Sequence, residues 1–166
     1  MEGGTSEPYI LVTGGLGYIG SHTVVELVAQ QNEKVIIVDN LDNSSIKCLD
    51  RIREITKAAE TDLKFFQMNI MDVPAMEEQV FSKHTIKSVI HFAGYKAVGE
   101  SVSKPLEYYN NNVSGTISLM QLMQKYKVKT FVFSSSATVY GENPSCKEGD
   151  TIQPINCYGR TKSMVE

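Results

Sequence analysis

Short apolar runs alternate with longer segments of helical periodicity along the chain. Runs that predict strands occupy residues 9–12, 34–38, 63–68, 87–92 and 130–134. Between the second and third runs, Ile46, Leu49, Ile52 and Ile55 recur every three residues among charged positions, which is typical of an amphipathic helix. This alternation predicts stacked βαβ units, and therefore an α/β fold built on a parallel sheet.

The segments between the predicted strands indicate where the helices lie. The first helix is expected over residues 21–31, and another follows Asp72, a good N-cap residue, with Pro74 in its first turn. A longer helix is predicted over residues 105–126. The last predicted elements are a loop over residues 141–157 and a helix that has not ended at residue 166. Together these elements predict a doubly wound parallel sheet with helices on both faces.

Composition limits the number of domains and the classes of partner. With 166 residues, 42% of them hydrophobic, the chain can bury one core and is short for two domains. We expect one domain over residues 9–166 and a flexible tail over residues 1–8. The net charge of -3 and the scattered Lys and Arg residues argue against nucleic acid as a partner. Apolar runs are all too short to cross a bilayer, so no membrane partner is expected.

The cysteines point to a reducing compartment. Cys48, Cys146 and Cys157 are odd in number, widely spaced and without a metal-binding pattern. The simplest interpretation is three reduced thiols in the cytoplasm and no metal site.

A glycine-rich stretch at residues 13–22 directly follows the first predicted strand. Gly15, Gly17 and Gly20 fit the G-x-G-x-x-G spacing, and Gly14, Gly17 and Gly20 fit G-x-x-G-x-x-G equally well. Either pattern lets the backbone approach a pyrophosphate while the N–H groups of the following helix face the anion. The alternative is a glycine-rich turn that binds no ligand.

Asp39 stands at the end of the second predicted strand, nineteen residues after the last of these glycines. An acid in that position can accept hydrogen bonds from both ribose hydroxyls of NAD, and its charge would repel the 2′-phosphate of NADP. The alternative is an ordinary acidic turn residue. Together the glycines and the acid predict a Rossmann-like domain that binds NAD.

Tyr158 and Lys162 lie four residues apart, on one face of the last predicted helix. Tyrosine is protonated at neutral pH, but a nearby lysine charge would favour the phenolate that a general base requires. Alone, this spacing usually marks a solvated helix face. Ser136 follows the fifth predicted strand and could bind the same substrate hydroxyl, so the three residues predict proton transfer beside the cofactor.

Several segments, in this order, resemble the extended short-chain dehydrogenase/reductase family, and within it the enzymes that interconvert UDP-galactose and UDP-glucose. The matching segments are residues 13–22, 39–41, 91–101, 108–113, 134–141 and 158–162. The resemblance covers the whole chain and roughly half of a family member. It implies a domain truncated before the last strands and the C-terminal lobe, and hence a fragment of marginal stability and low activity.

The resemblance also assigns site residues. Gly14, Gly17, Tyr18 and Ile19 would hold the pyrophosphate, and Asp39 the adenosine ribose. Asn69 stands where the family commonly has Asp, and its amide oxygen can still accept from adenine. The other cofactor residues implied are Asn40, Leu41, Asn43, Ser44, Ile70, Phe92, Ala93, Gly94, Lys96, Asn111, Ser134, Tyr158 and Lys162.

By the same resemblance, Tyr158, Ser136 and Lys162 would be catalytic. Tyr158 would take the C4′ hydroxyl proton of UDP-galactose or UDP-glucose as hydride moves to NAD, and the hydride would return to the opposite face. A homodimer is implied for the full-length form. Sugar-nucleotide 4,6-dehydratases are one alternative, although Ala137-Thr138 replaces their Asp-Glu pair after Ser136. The other alternative is an NAD-binding fragment without catalysis.

Overall fold

The computed structural model describes residues 7–166, so residues 1–6 of the predicted tail lie outside the described residues. Five strands follow the order β1 (Tyr9–Thr13), β2 (Val35–Asp39), β3 (Leu63–Gln67), β4 (Ile86–His91) and β5 (Thr130–Phe133). The α-helices are α1 (Tyr18–Ala29), α2 (Ile46–Thr56), α3 (Val73–Met76), α4 (Val98–Ser103), α5 (Pro105–Tyr108), α6 (Gly115–Lys125) and α7 (Cys157–Val165).

The strands form one parallel sheet in the order β3-β2-β1-β4-β5. From β1 to β3 the strands are added on one side of β1, and β4 and β5 are added on the other side. The carboxyl ends of β1 and β4 therefore flank the point where a doubly wound sheet binds its ligand. The predicted Rossmann-like sheet is therefore confirmed, with each predicted strand within one residue of the observed one at either end.

Successive strand residues point in opposite directions, so the central strands need cover on both faces, and helices provide it. On the edge strand β5, Thr130 is exposed and Val132 is 52% exposed. One face carries α1 and α2, and its buried residues are Ile10, Val12, Leu16, Val24, Val35, Ile37, Leu49, Ile52 and Leu63. The other carries α3 and α6, and its buried residues include Leu11, Ile36, Val38, Met76, Val80, Leu119, Leu122 and Met123. Continuous apolar strands are expected when a parallel sheet is covered on both sides.

Three helical regions differ from the sequence prediction. The single helix expected over residues 105–126 is interrupted by a π-helical segment, Tyr109–Ser114, between α5 and α6. Helix α4 was not predicted, because Val98 and Val102 are its only large apolar residues and two positions are too few to show a periodicity. Helix α1 begins at Tyr18, three residues early, since Gly17 serves as its N-cap.

Within residues 7–166, no helix combines the length and apolar character needed to cross a membrane.

Candidate active site

A cleft of about 330 Å³ lies along the carboxyl edge of the sheet. Its lining residues come from the ends of all five strands and the loops after them, from the first turn of α1, from the π-helical segment and from α7. They are Gly14, Gly17, Tyr18, Ile19, Gly20, Asp39, Asn40, Asp42, Asn43, Asn69, Ile70, Phe92, Ala93, Gly94, Tyr95, Lys96, Asn111, Ser134, Ser135, Ser136, Tyr158 and Lys162. The cleft thus brings together every predicted site residue except Leu41 and Ser44.

The glycine-rich turn after β1 is packed too tightly for side chains. Gly14 has φ +69°, and a Cβ on it would lie 2.6 Å from the backbone nitrogen of Ala93. A Cβ on Gly20 would lie 2.3 Å from the carbonyl oxygen of Gly14, and one on Gly15 would meet the Ile37 side chain at 2.9 Å. Backbone therefore blocks a side chain at Gly14 and Gly20, while Gly15 faces a side chain that can move.

The amino end of α1 opens into this cleft. Gly17 is the N-cap and contributes no side-chain cap, and Tyr18 and Ile19 in the first turn are largely exposed. First-turn N–H groups have no partner within the helix, and the helix dipole is positive at that end. The turn and the 12-residue helix therefore offer a site for an anionic group such as a pyrophosphate.

Asp39 is buried beside the glycine-rich turn. Its Oδ2 accepts a 3.0 Å hydrogen bond from the backbone N–H of Leu16, and its Oδ1 accepts from the N–H of Leu41 at 3.0 Å and from Ser44 Oγ at 2.7 Å. The carboxylate is therefore fixed in one orientation at the cleft wall.

Leu41 and Ser44 were expected to surround the adenosine, but neither lines the cleft. Leu41 has the left-handed φ of 62° and packs against the core cluster under α1 and α2. Because both residues donate to Asp39, their contribution in this structure is to hold the acid.

Asn69 lines the cleft where the adenine was expected. Its Oδ1 accepts a 2.9 Å hydrogen bond from the backbone N–H of Met71. A carbonyl oxygen has two lone pairs, so one remains for a donor in the cleft.

Tyr158 and Lys162 lie at the other end of the cleft on α7, whose N-cap Asn156 accepts from the Gly159 N–H at 2.7 Å. Lys162 Nζ donates to the carbonyl oxygen of Ser134 at 2.8 Å and lies 5.8 Å from the centre of the Tyr158 ring. The predicted shared face is thus present, with both side chains at least nine-tenths buried.

Burial lowers the pKa of Lys162 to about 8, because a charged ammonium is disfavoured away from water. The Phe133 ring, 4.7 Å from Nζ, partly offsets that cost through a cation–π contact. Lys162 therefore remains mostly cationic at neutral pH and can favour a negative charge nearby.

Ser136 lies in the turn that joins β5 to a short 3₁₀-helix, Ala137–Tyr140. Its Oγ accepts hydrogen bonds from the backbone N–H of Thr138 at 3.2 Å and from Thr138 Oγ1 at 2.9 Å. The hydroxyl lines the same cleft as Tyr158 and Lys162, so all three predicted catalytic side chains border one space.

The Asn112 side chain connects this end of the cleft to the loop after β4. It accepts from the Tyr95 N–H at 2.8 Å and donates to the Tyr95 carbonyl at 2.9 Å and to Thr161 Oγ1 at 3.0 Å. Thr161 in turn donates to the Tyr158 carbonyl at 2.7 Å, and Asn111, also buried, donates to Asn112 at 3.0 Å. These hydrogen bonds thus connect the backbone of Tyr158 to the loop after β4.

His91 extends the buried polar network to β1. Thr116 Oγ1 donates to the Asn112 carbonyl at 2.6 Å, so its contact with His91 Nε2 at 2.8 Å requires the proton on Nε2. Thr13 Oγ1 then donates to His91 Nδ1 at 2.6 Å. Burial, with a smaller effect of the Lys162 charge, lowers the pKa of His91 to about 3. His91 is therefore a neutral structural residue.

Four lining residues were absent from the predicted site: Gly20, Asp42, Tyr95 and Ser135. All four stand directly beside predicted residues in the sequence, and Gly20 also belongs to both glycine patterns. Tyr95 lies on the loop after β4 and Asp42 on the loop after β2, and burial followed by the Asp42 charge raises the pKa of Tyr95. Sequence adjacency was the only signal that could have found Asp42 and Tyr95.

Cys48, Cys146 and Cys157 are all free and half-buried. Over the described range, residues 7–166, no group of three His, Cys, Asp or Glu side chains is placed to hold a metal ion.

Curated relatives match nearly the whole chain. The UDP-glucose 4-epimerase of Pasteurella multocida is 55% identical over 163 residues, which are 95% of this chain and 46% of that protein. The UDP-glucose 4-epimerase of Bacillus subtilis is 52% identical over 159 residues, or 95% of this chain and 45% of that protein. The chain therefore spans about half the length of the curated relatives it matches.

Solved structures share the fold and the family. The UDP-glucose-4-epimerase of Stenotrophomonas maltophila, with bound NAD and formylated UDP-arabinopyranose, is 45% identical with a TM-score of 0.88, covering 96% of this chain and 46% of that one. The Bifidobacterium longum UDP-glucose 4-epimerase with NAD+ and UDP is 44% identical with a TM-score of 0.87, covering 94% and 46%. The family model described as GDP-mannose 4,6 dehydratase matches residues 11–166. On that match, the chain belongs to the GDP-mannose 4,6 dehydratase family.

Proposed function

We propose that this chain is the NAD-binding part of an enzyme that interconverts UDP-galactose and UDP-glucose at C4′ of the sugar. One observation carries the proposal: a single cleft has the glycine-rich turn and Asp39 at one end and Tyr158, Lys162 and Ser136 at the other. The relatives from P. multocida and B. subtilis, both UDP-glucose 4-epimerases, support the choice of substrate.

The residues present fit NAD. Gly14 and Gly17 line the cleft without side chains of their own, and α1 begins directly after them, so its unpaired first-turn N–H groups can bind a pyrophosphate. Asp39 is fixed by three donors, and the lone pair that remains on Oδ2 can accept from a ribose hydroxyl. Its charge disfavours a 2′-phosphate, so the site suits NAD better than NADP.

At the end of the cleft that holds Tyr158, side chains of the chain itself would transfer the proton. Tyr158 as phenolate would take the proton of the C4′ hydroxyl, while Ser136 donates a hydrogen bond to the same oxygen. Lys162 Nζ lies 5.8 Å from the centre of the Tyr158 ring, and its ammonium can hold the nicotinamide ribose. Bound NAD would accept the C4′ hydride and return it to the opposite face of the same carbon, which inverts that centre without net redox change.

Two other functions predict different products. A 4,6-dehydratase, the activity in the family's description, would eliminate water, yet Ala137 and Thr138 supply no carboxyl group beside Ser136 for that step. A passive NAD-binding protein would leave the sugar unchanged. The geometry at Tyr158, Lys162 and Ser136 favours catalysis over passive binding.

The test uses the protein as its gene encodes it, incubated with UDP-galactose without added nicotinamide nucleotide and followed by proton NMR. The proposal predicts a mixture of UDP-galactose and UDP-glucose. A 4-keto-6-deoxy product would identify a dehydratase, and unchanged UDP-galactose in the presence of NAD-loaded protein would indicate passive binding. Either result overturns the epimerase proposal.

We also propose that the protein acts as a homodimer that pairs through the helical run from α5 to α6. Leu106, Ile117 and Met120 are 81%, 51% and 41% exposed along that run, so a second copy of the chain could cover their apolar side chains. Light scattering should give twice the monomer mass, and Leu106→Glu should yield monomers. The same change at Ile55, which is 62% exposed on α2, is the control and should leave the dimer intact.

Finally, we place the protein in the cytosol, because the three free cysteines suit a reducing compartment. Cell fractionation tests this, and recovery in a secreted or organelle fraction would contradict it.

A further inference from the structure

Thr138 makes two hydrogen bonds to one atom, Ser136 Oγ. The backbone N–H donates at 3.2 Å, and the side-chain hydroxyl donates at 2.9 Å. A serine hydroxyl has two lone pairs and one proton. With both lone pairs occupied by Thr138, the proton of Ser136 is left to donate to another partner, and the Ser136 side chain borders the cleft.

The backbone of Thr138 also lies against the helix that carries Tyr158. A Cβ on Gly159 would lie 2.8 Å from the Thr138 carbonyl oxygen, so only glycine allows this approach. The same carbonyl accepts a 3.3 Å hydrogen bond from the Gly141 N–H, which closes the 3₁₀ turn. Thr138 therefore contacts both Ser136 and Gly159, the residue that follows Tyr158.

We propose that Thr138 is a positioning residue that acts through Ser136, keeping the Ser136 proton directed to the substrate oxygen on C4′. This inference rests on the proposed function. During epimerisation that oxygen becomes a carbonyl and then a hydroxyl again, and a fixed donor stabilises the negative charge that develops on it as the hydride returns. Without the Thr138 hydroxyl, Ser136 gains a free lone pair and can rotate its proton toward other acceptors.

The test compares Thr138→Val with Thr138→Ser in the protein as its gene encodes it, after epimerase turnover by the unaltered protein has been measured. Valine has nearly the shape of threonine and keeps the backbone donor, so NAD content and the melting temperature should not change. We expect kcat to fall about tenfold, less than the roughly 10²–10³ lost with a direct donor, with KM unchanged. Thr138→Ser should recover most of the rate, and Thr130→Val, at the exposed start of β5, is the matched control.

A double-mutant cycle separates positioning from a general structural role. If Thr138 acts through Ser136, adding Thr138→Val to Ser136→Ala should lower kcat no further. Full turnover by Thr138→Val would overturn the role of Thr138, and so would an equal loss in the Ser136→Ala background. Both results would leave the epimerase activity of the unaltered protein established.

Discussion

The backbone N–H of Leu16 donates a 3.0 Å hydrogen bond to Oδ2 of Asp39. Leu16 belongs to the glycine-rich turn and Asp39 ends the neighbouring strand, so the two parts of the predicted NAD site are joined directly. The turn helps to orient the acid, and the acid helps to hold the turn in place.

The first prediction concerns Asp39→Asn. An amide has one oxygen where the carboxylate has two, so it cannot satisfy both the Leu16 donor on Oδ2 and the Leu41 and Ser44 donors on Oδ1. NAD affinity should fall about tenfold or more, because hydrogen bonds to charged groups contribute about 1.5–3 kcal/mol. Discrimination against NADP should also shrink, since the repelling charge is gone.

Calorimetric titration of both dinucleotides measures this. A variant that binds NAD as tightly as the unaltered protein and still excludes NADP would show that Asp39 does not contact the ribose.

The second prediction compares Gly20→Ala with Gly99→Ala. A Cβ at Gly20 would lie 2.3 Å from the Gly14 carbonyl oxygen, whereas a Cβ at Gly99 on α4 has nothing within 4 Å. Gly20→Ala must displace α1 from the turn and should destabilise the protein by about 1–3 kcal/mol while weakening NAD binding. Gly99→Ala should be neutral or slightly stabilising, because alanine is the better helix former.

Chemical denaturation and NAD titration of the two variants provide the measurement. Equal stability and equal NAD affinity would mean that the close approach of α1 to the turn is not required.

The third prediction concerns pH and His91. An unfolded histidine takes up a proton near pH 6.5, but the folded state does so only near pH 3, because the ring is buried. Between these values the unfolded state binds the additional proton, so the free energy of unfolding falls as pH falls. His91 should lower it by about 2 kcal/mol between pH 7 and pH 5.

Nuclear magnetic resonance of the histidine rings tests the cause directly. The His91 ring should stay neutral, with the proton on Nε2, down to about pH 4. A His91 resonance that titrates near its ordinary value would contradict the buried network with Thr13 and Thr116.

The sequence was sufficient for the sheet, the glycine-rich turn and the placement of Tyr158, Lys162 and Ser136, because these features depend on local periodicity and on strand ends that share one edge. It was not sufficient for Leu41 and Ser44, whose side chains turn away from the cleft toward Asp39 and the core. That outcome depends on the left-handed backbone at Leu41, which no hydrophobic pattern encodes.

Sequence patterns could not predict the π-helical segment Tyr109–Ser114 either. Asn112, within this segment, makes tertiary hydrogen bonds to Tyr95 and Thr161, which lie far from it in the chain. Asp42 and Tyr95 were missed for a similar reason, since they enter the cleft from loops whose course the sequence does not give.

We propose Tyr158 as the base beside a bound NAD, and Tyr158→Phe tests that role most directly. The change removes only the hydroxyl, so NAD content measured by mass spectrometry of the native protein should not change. Conversion of UDP-galactose to UDP-glucose should fall at least about 100-fold, the lower range for loss of a general base. Tyr126→Phe, whose hydroxyl donates to Glu77 outside the cleft, should retain full activity. A Tyr158→Phe protein that keeps its NAD and converts UDP-galactose within a few-fold of the unaltered rate would contradict the account.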